Sequence, residues 1–207
     1  MTVNPARLAR IRSVLDQRLG WVRCAVEAVY HRHNVSAILR TCDSVGLQHV
    51  HLVQGHFTPA KGAARGSDRW LDLHRESSPE AAVRSIKDAG FALWVADLAE
   101  SSETPESLPL DRPVCIWMGA ELFGVGPAAR EAADGVVTIP MRGFAQSLNV
   151  SVAAALTLRP VAERARTLGP KALLPPDERE ALWSRWHARE VAMRNGVAAR
   201  AELDHVD

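Results

Sequence analysis

IPMRGFAQSLNVSVAAAL, residues 139–156, contains a short apolar strand, a tight turn and the start of a long helix. The turn is predicted around Gly143, and the helix is predicted to open with Ser147, a residue type that suits an N-cap. Asn149 lies in the first turn of an otherwise apolar helix. A buried polar side chain there needs hydrogen-bonding partners, which a bound substrate could supply. Farther along the helix, Pro160 is expected to kink or split it.

Apolar runs and helical periodicity alternate through the rest of the chain. Strands are predicted at residues 22–29, 49–53, 70–74, 91–98, 114–119 and 135–141. Helices are predicted at residues 5–19, 33–46, 78–90, 147–166 and 175–195. Short apolar strands that alternate with helices predict an α/β fold, a mostly parallel sheet with helices on both faces. We expect an Arg-rich N-terminal helix in residues 1–20, the α/β domain in residues 21–158 and a C-terminal helical extension in residues 159–207.

The size and composition of the chain are those of a globular protein. It has 207 residues, of which 47% are hydrophobic and 24% charged, values that exclude a disordered or collagen-like chain. No apolar run reaches the ~18 residues of a membrane-spanning helix, and the N-terminus lacks the apolar core of a signal peptide. Cys24, Cys42 and Cys115 form no CxxC pair, and the histidines lack partners at metal-binding spacing. We therefore expect a reduced cytoplasmic protein with no metal and no membrane segment.

The positive charge is concentrated at the two ends of the chain. The formal net charge is only +1, but residues 1–23 carry five arginines against one acid, and residues 159–200 carry nine basic groups against five acidic ones. Arginine suits phosphate recognition because its planar guanidinium binds two oxygens at once. The pattern favours nucleic-acid binding at the flanking helices, although Arg-rich helices can also be simply solvated faces.

Two further segments combine polar residues with apolar surroundings. HNVSAILRTCD, residues 33–43, places Asn34 and Arg40 six residues apart on a predicted helix, which one of its early polar residues could cap. WMGAELFGVG, residues 117–126, is a strand followed by a glycine-rich turn that carries Glu121. The glycine spacing is not the GxGxxG of dinucleotide-binding folds, and the chain has no GxSxG elbow for a hydrolytic serine.

Together, the three segments resemble the motifs of the SPOUT class of RNA methyltransferases, in particular its TrmH type. The resemblance extends from about Arg10 to Arg166 and is most specific in SLNVSVAAAL after IPM. It implies a deep trefoil knot on the C-terminal side of the α/β domain and a homodimer whose site uses residues of both subunits. It also implies S-adenosylmethionine as methyl donor and a tRNA substrate, methylated on the ribose 2′-oxygen of guanosine 18 in the D-loop.

The resemblance also assigns roles to individual residues. Arg40 is the implied catalytic residue, either as a general base or as a fixed positive charge beside the developing alkoxide. The other implied site residues are Asn34, Glu121, Ser147 and Asn149, and the backbone near Ala96, Gly119, Ile139 and Leu148 is implied to line the cofactor pocket. The arginines expected to bind RNA are Arg10, Arg18 and Arg166. The chain departs from the family pattern at Ala96, where threonine is usual, at Arg142, in a loop that is usually apolar, and at Pro160.

Three other functions are consistent with parts of the sequence. The first is the same chemistry on another RNA, such as 23S rRNA or another tRNA position. Enzymes of the rRNA branches usually carry an extra N-terminal RNA-binding domain, which the ~20 residues before the first strand are too few to form. The second is an RNA-binding SPOUT protein without catalysis, against which the joint presence of the implied site residues argues. The third is a nucleotide-dependent oxidoreductase, which the glycine spacing disfavours.

Overall fold

Six parallel strands form one sheet in the computed structural model, which describes residues 4–27, 31–53, 66–99, 101–120 and 124–194. The strands are β1 (Val22–Glu27), β2 (His49–Val53), β3 (Asp72–Glu76), β4 (Ala92–Ala96), β5 (Val114–Met118) and β6 (Gly135–Val137). Their order is β3-β2-β1-β5-β4-β6, and every neighbouring pair is parallel. The chain runs outward from β1 to β3 and then continues on the other side of β1, so the strand order reverses between β1 and β5. Such a reversal is where open α/β sheets bind ligands, at the carboxyl ends of the strands.

Helices cover both faces of this sheet, as the alternating pattern predicts. They are α1 (Pro5–Leu15), α2 (Arg32–Ser44), α3 (Pro79–Asp88), α4 (Pro127–Ala132), α5 (Val150–Arg166) and α6 (Pro176–Arg194). On one face, α3 and α4 enclose a buried cluster that includes Leu93, Cys115 and Trp117. On the other face, α2 packs against α5, and α5 contacts β1 and β5. The predicted α/β class is confirmed.

Several strand and helix boundaries differ from those predicted, and one short helix is additional. β6 ends at Val137 rather than continuing to residue 141, and residues 138–149 form an irregular segment that leads into α5. β3 begins at Asp72 because a 3-10 turn, Ser67–Trp70, occupies the start of the predicted strand. Helix α4 was not predicted, because its single short apolar stripe gives no clear helical period.

Two predicted helix starts are also wrong. His31 precedes α2, and its side chain makes no capping hydrogen bond, so neither of the early polar residues caps that helix. The N-cap of α5 is Asn149 rather than Ser147. Asn149 is exposed and already has protein partners, so it is not the buried amide that the apolar helix pattern predicted.

Helix α5 crosses the predicted domain boundary at residue 158 without a break. Pro160 lies inside it, where its ring removes one backbone hydrogen bond, yet the helix continues to Arg166. The expected split is therefore absent. By its internal contacts the chain divides into an α/β unit, Leu19–Ala172, and a second unit formed by Met1–Arg18 with Leu173–Asp207.

The second unit is a pair of helices, α1 and α6, held by arginines that were expected to face solvent. Arg7 and Glu190 form an ion pair of 2.6 Å, and this hydrogen bond raises the pKa of Arg7. Arg12 lies 5.0 Å from the ring centre of Trp183. The described helices include none that is long and apolar enough to span a membrane.

Candidate functional site

A pocket of about 600 Å³ lies at the carboxyl ends of β4, β5 and β6. The irregular segment before α5 and the first turns of α2 and α5 complete its wall. The residues predicted for the site that line it are Asn34, Ala96, Gly119, Ile139, Ser147, Leu148 and Asn149. The structure thus brings parts of all three sequence motifs to one place, although Asn34 and Asn149 are 115 residues apart in the chain.

Asn34 and Asn149 join the first motif to the third. The Nδ2 atom of Asn149 donates to Oδ1 of Asn34 at 3.3 Å. The Oδ1 atom of Asn149 accepts from the backbone N–H of Ser151 at 2.9 Å and from its hydroxyl at 2.6 Å. One amide therefore caps α5 and holds the start of α2. The partners that Asn149 needs are provided by the protein itself, so both side chains are oriented before any ligand binds.

The ends of β4 and β6 form a second wall, held by backbone hydrogen bonds. The N–H of Asp97 donates to the carbonyl of Val137 at 3.2 Å, and the Thr138 hydroxyl donates to the carbonyl of Asp97 at 2.5 Å. The Asp97 carboxylate lies 2.5 Å from the guanidinium of Arg130. Asp97 lines the pocket but was missed from the sequence, although an acid directly after a buried strand is a recognisable signal.

The third wall is the loop that follows β5. Ala120 and Gly124 exchange two backbone hydrogen bonds, of 2.8 and 2.9 Å, and Gly124 has a φ of 67°, which favours glycine. A Cβ atom on Gly119 would overlap the backbone of Gly124 and Val125. Glycine is needed at position 119 because two segments of the loop touch there. The contact that requires glycine here is with the protein's own backbone.

Some predicted residues lie away from the pocket or outside the described residues. Arg40 is exposed on α2 and does not line the pocket; six residues beyond Asn34, it lies about 9 Å farther along the helix axis. Glu121 falls in the segment that the structure does not describe. Gly143 and Arg142 are both exposed in the segment before α5 and are not among the lining residues.

The three arginines predicted to bind RNA have different environments. Arg10 is exposed on α1. Arg18 lies beyond the end of α1, is only 1% exposed and has its guanidinium 5.3 Å from the ring centre of Trp186. Arg18 is therefore buried, whereas an arginine that binds RNA was expected at the surface. Arg166, at the end of α5, donates to the carbonyl of Val45 at 2.8 Å.

Comparison with known proteins agrees with the three motifs. The model of the SpoU rRNA Methylase family matches residues 22–159. The tRNA (guanosine(18)-2′-O)-methyltransferase of Thermus thermophilus is 39% identical over 155 residues, which cover 74% of this chain and 80% of that protein. The Escherichia coli K12 protein of the same name is 35% identical over 186 residues. The match covers 87% of this chain and 81% of the E. coli protein.

A solved structure extends this likeness to the fold. The TrmH/SpoU tRNA modifying enzyme of A. aeolicus has a TM-score of 0.81 and 30% identity, and the match covers 90% of this chain and 97% of that one. The chain belongs to the SpoU methylase family. The family resemblance that the motifs predicted is confirmed. The family model's match, residues 22–159, includes the irregular segment 138–149 that contributes to the pocket wall.

Proposed function

We propose that this SpoU family member transfers a methyl group from S-adenosylmethionine to the ribose 2′-oxygen of guanosine 18 in tRNA. The observation that carries the proposal is one pocket at the carboxyl ends of the strands, which gathers residues of all three motifs. The relatives named for this activity match this chain over most of their own length. That coverage favours tRNA over rRNA as the substrate.

The pocket residues fit S-adenosylmethionine in size and chemistry. A volume of about 600 Å³ is in the range of small-molecule sites. Met118, Ile139 and Leu148 offer apolar surface for a base, while the Asp97 carboxylate and the Asn34 amide offer polar partners for hydroxyl and amino groups. When bound, S-adenosylmethionine supplies an activated methyl group, so the reaction itself needs no metal.

The chain's own task is to place the ribose and to stabilise the charge on its oxygen. Methyl transfer requires the hydroxyl to lie in line with the methyl group at near-attack distance. Ser147 and Asn149 stand at the start of α5, where the positive end of the helix dipole and the free N–H groups favour a phosphate or an alkoxide. Arg40 is proposed to hold a positive charge against that alkoxide when RNA is bound.

Arg40 fits this role only if the site is shared between two subunits, which we also propose. Within one chain it is exposed, does not line the pocket and forms no hydrogen bond or ion pair with another described residue. Val152 and Leu156, four residues apart on α5, are 46% and 47% exposed, and Phe144 beside the pocket segment is fully exposed. An apolar surface beside the site suits contact with a second copy. The three unpaired cysteines suit a cytoplasmic setting.

The direct test is methyl transfer to purified tRNA with nucleotide mapping. We expect a 2′-O-methyl group at guanosine 18, complete loss in Arg40→Ala and a severe loss in Arg40→Lys, because an ammonium cannot replace a planar guanidinium. Thermal unfolding should stay unchanged, since Arg40 has no partner among the described residues. Methylation of 23S rRNA or of another tRNA position would refute the assignment to guanosine 18. Near-normal turnover in either variant would remove Arg40 from the mechanism.

Mixing two inactive variants tests whether the site is shared. If Arg40 of one subunit serves the pocket of the other, a heterodimer of Arg40→Ala and Asn149→Ala has one intact site and one doubly altered site. Refolding the two variants together should then restore about a quarter of the wild-type activity, since half the dimers are mixed and each has one good site. If Arg40 serves its own pocket, the mixture remains as inactive as its components.

A further inference from the structure

Glu27, the last residue of β1, is a buried carboxylate with two donors from distant parts of the chain. It is 7% exposed. Its Oε2 atom accepts from the indole N–H of Trp117 at 2.8 Å and from the backbone N–H of Gly126 at 3.0 Å. Burying a carboxylate is costly unless it is hydrogen-bonded, so these two contacts are what allow it to lie there. Glu27 does not line the pocket.

The contact with Gly126 holds the far end of the loop after β5. The near end, Gly119 and Ala120, lines the pocket, and the Ala120–Gly124 hydrogen bonds close the loop between them. Gly126 is also the residue before α4, so the carboxylate holds the point where the loop becomes a helix. A Cβ atom on Gly126 would overlap Oε1 of Glu27, which shows how closely the two groups approach.

We propose that Glu27 is a positioning residue for the cofactor pocket: by accepting from Gly126 it holds the described residues after β5, Gly119–Ala120 and Gly124–Gly126, in the arrangement that binds S-adenosylmethionine. This inference rests on the proposed function. Glu27 touches neither the ligand nor the reacting atoms. It acts through the backbone: Gly126 is two residues from Gly124, and Gly124 is hydrogen-bonded to Ala120 in the pocket wall, so a shift of Gly126 moves the residues that line the pocket.

The role depends on an acceptor oxygen at this place, so the variants separate hydrogen bonding from packing. Glu27→Ala removes the acceptor, whereas Glu27→Gln keeps one carbonyl oxygen for both donors. Gly126→Ala leaves the carboxylate in place and pushes the backbone away from it. The φ of Gly126 is −68°, which alanine adopts without strain, and the nearest atoms that its Cβ would meet belong to Glu27, so the variant perturbs this contact rather than the backbone conformation. Glu131→Ala, on the exposed side of α4, is the matched control.

The experiment combines calorimetric titration with S-adenosylhomocysteine and steady-state methyl transfer to tRNA. In Glu27→Ala we expect the Kd for S-adenosylhomocysteine and the KM for S-adenosylmethionine to rise about tenfold, which corresponds to about 1.4 kcal/mol. The kcat and the tRNA affinity should change less than about threefold, which is under about 0.7 kcal/mol. Glu27→Gln should recover most of the loss, Gly126→Ala should reproduce it, and Glu131→Ala should match the wild type.

Two outcomes overturn the inference. One is an unchanged Kd in both Glu27→Ala and Gly126→Ala. The other is a fall in kcat with KM unaltered. If Glu27→Ala does not fold, Gly126→Ala and Glu27→Gln still test the inference, because both variants keep an acceptor oxygen at position 27. Failure of the wild-type protein to bind S-adenosylhomocysteine or to methylate guanosine 18 would instead refute the proposed function, so the two failures are distinguishable.

Discussion

Gly119 and Gly143 make a matched pair for testing the pocket at the scale of single residues. A methyl group on Gly119 would overlap the backbone of Gly124, whereas one on Gly143 would meet nothing within 4 Å. We expect Gly119→Ala to push the loop after β5 away from the strand end and to weaken S-adenosylhomocysteine binding by tenfold or more, about 1.4 kcal/mol. Gly143→Ala should bind as the wild type does. Equal affinities in the two variants, measured by calorimetry, would show that the loop does not shape the pocket.

Individual site residues include both the best and the worst predictions made from the sequence. Asn34, Ser147 and Asn149 were predicted as site residues from the family resemblance, and the structure brings them to one pocket. Asp97 was missed although it directly follows a buried strand, and its hydrogen bonds with Val137 and Thr138 place it in the pocket wall. Arg18 was misplaced because an arginine in an Arg-rich segment is expected at the surface, whereas packing on Trp186 buries it.

At the scale of elements, the N-cap of helix α5, Asn149, makes two kinds of contact that can be tested separately. The Asn149 side chain caps the helix through Ser151 and reaches Asn34 of α2. Asn149→Ala should lower the free energy of unfolding by about 1 kcal/mol and abolish methyl transfer. Asn149→Ser should keep the cap but is too short to reach Asn34, so it should be stable and still inactive. Denaturant titration and a methyl-transfer assay separate the two; an active Asn149→Ser enzyme would make the link to Asn34 dispensable.

The edge of the sheet formed by β2 and β3 carries a buried histidine cluster that should make folding sensitive to acid. The rings of His51 and His74 stack at 4.7 Å, and His51 Nδ1 lies 3.0 Å from Glu76. Burial lowers the pKa of His51 to about 4, assisted by the charges of His74 and Arg23, while the Glu76 hydrogen bond opposes the shift. The pKa of His74 is also lowered, chiefly by burial.

The sign of the pH dependence follows from these lowered pKa values. The unfolded chain takes up a proton near pH 6.5, before folded His51 does, so stability is full above that pH and falls as the pH drops toward 4. The loss from His51 should reach about 3 kcal/mol, at 1.36 kcal/mol for each unit of pKa difference. Denaturant titrations from pH 7 to pH 4 should give a shallower dependence for His51→Asn. Exposed His33→Gln is the control, and equal slopes in the His51 variant and the wild type would contradict this account.

The elements also show why periodicity alone could not define the site. The alternation of apolar strands and helices predicted the α/β class and the approximate position of most elements. It could not predict that β6 is three residues long or that the following segment stays irregular up to Asn149. That segment is fixed by hydrogen bonds to other strands, such as Thr138 to Asp97, and such long-range contacts leave no period in the sequence.

At the scale of the whole molecule, the division into two units changes how the basic ends of the chain are understood. The excess of arginine in residues 1–23 suggested a positively charged surface. In the second unit, however, Arg7 is paired with Glu190, Arg12 lies near Glu180 and Trp183, and Arg18 is buried. Much of that charge is therefore used to hold α1 to α6. The trefoil knot that the family resemblance implies stays a prediction.

Arg10 remains the best candidate for phosphate contact in this unit. It is exposed on α1 and forms no ion pair with another residue that the structure describes. If Arg10 contacts one tRNA phosphate, Arg10→Ala should weaken tRNA binding and reduce the slope of log affinity against log salt by roughly 0.7 to 0.9. S-adenosylhomocysteine affinity should not change. The measurement is a series of tRNA binding titrations at increasing salt for the wild type and the variant.

Arg18→Ala is the matched control, because it removes the same charge from the same segment but from a buried position. It should lower thermal stability by removing the packing on Trp186, while the salt slope stays that of the wild type. If Arg10→Ala leaves the slope unchanged, α1 does not contact the RNA backbone and its exposed arginine is simply solvated. If Arg18→Ala instead reduces the slope as much as Arg10→Ala, Arg18 must leave its buried position when tRNA binds, and the second unit must rearrange on the RNA.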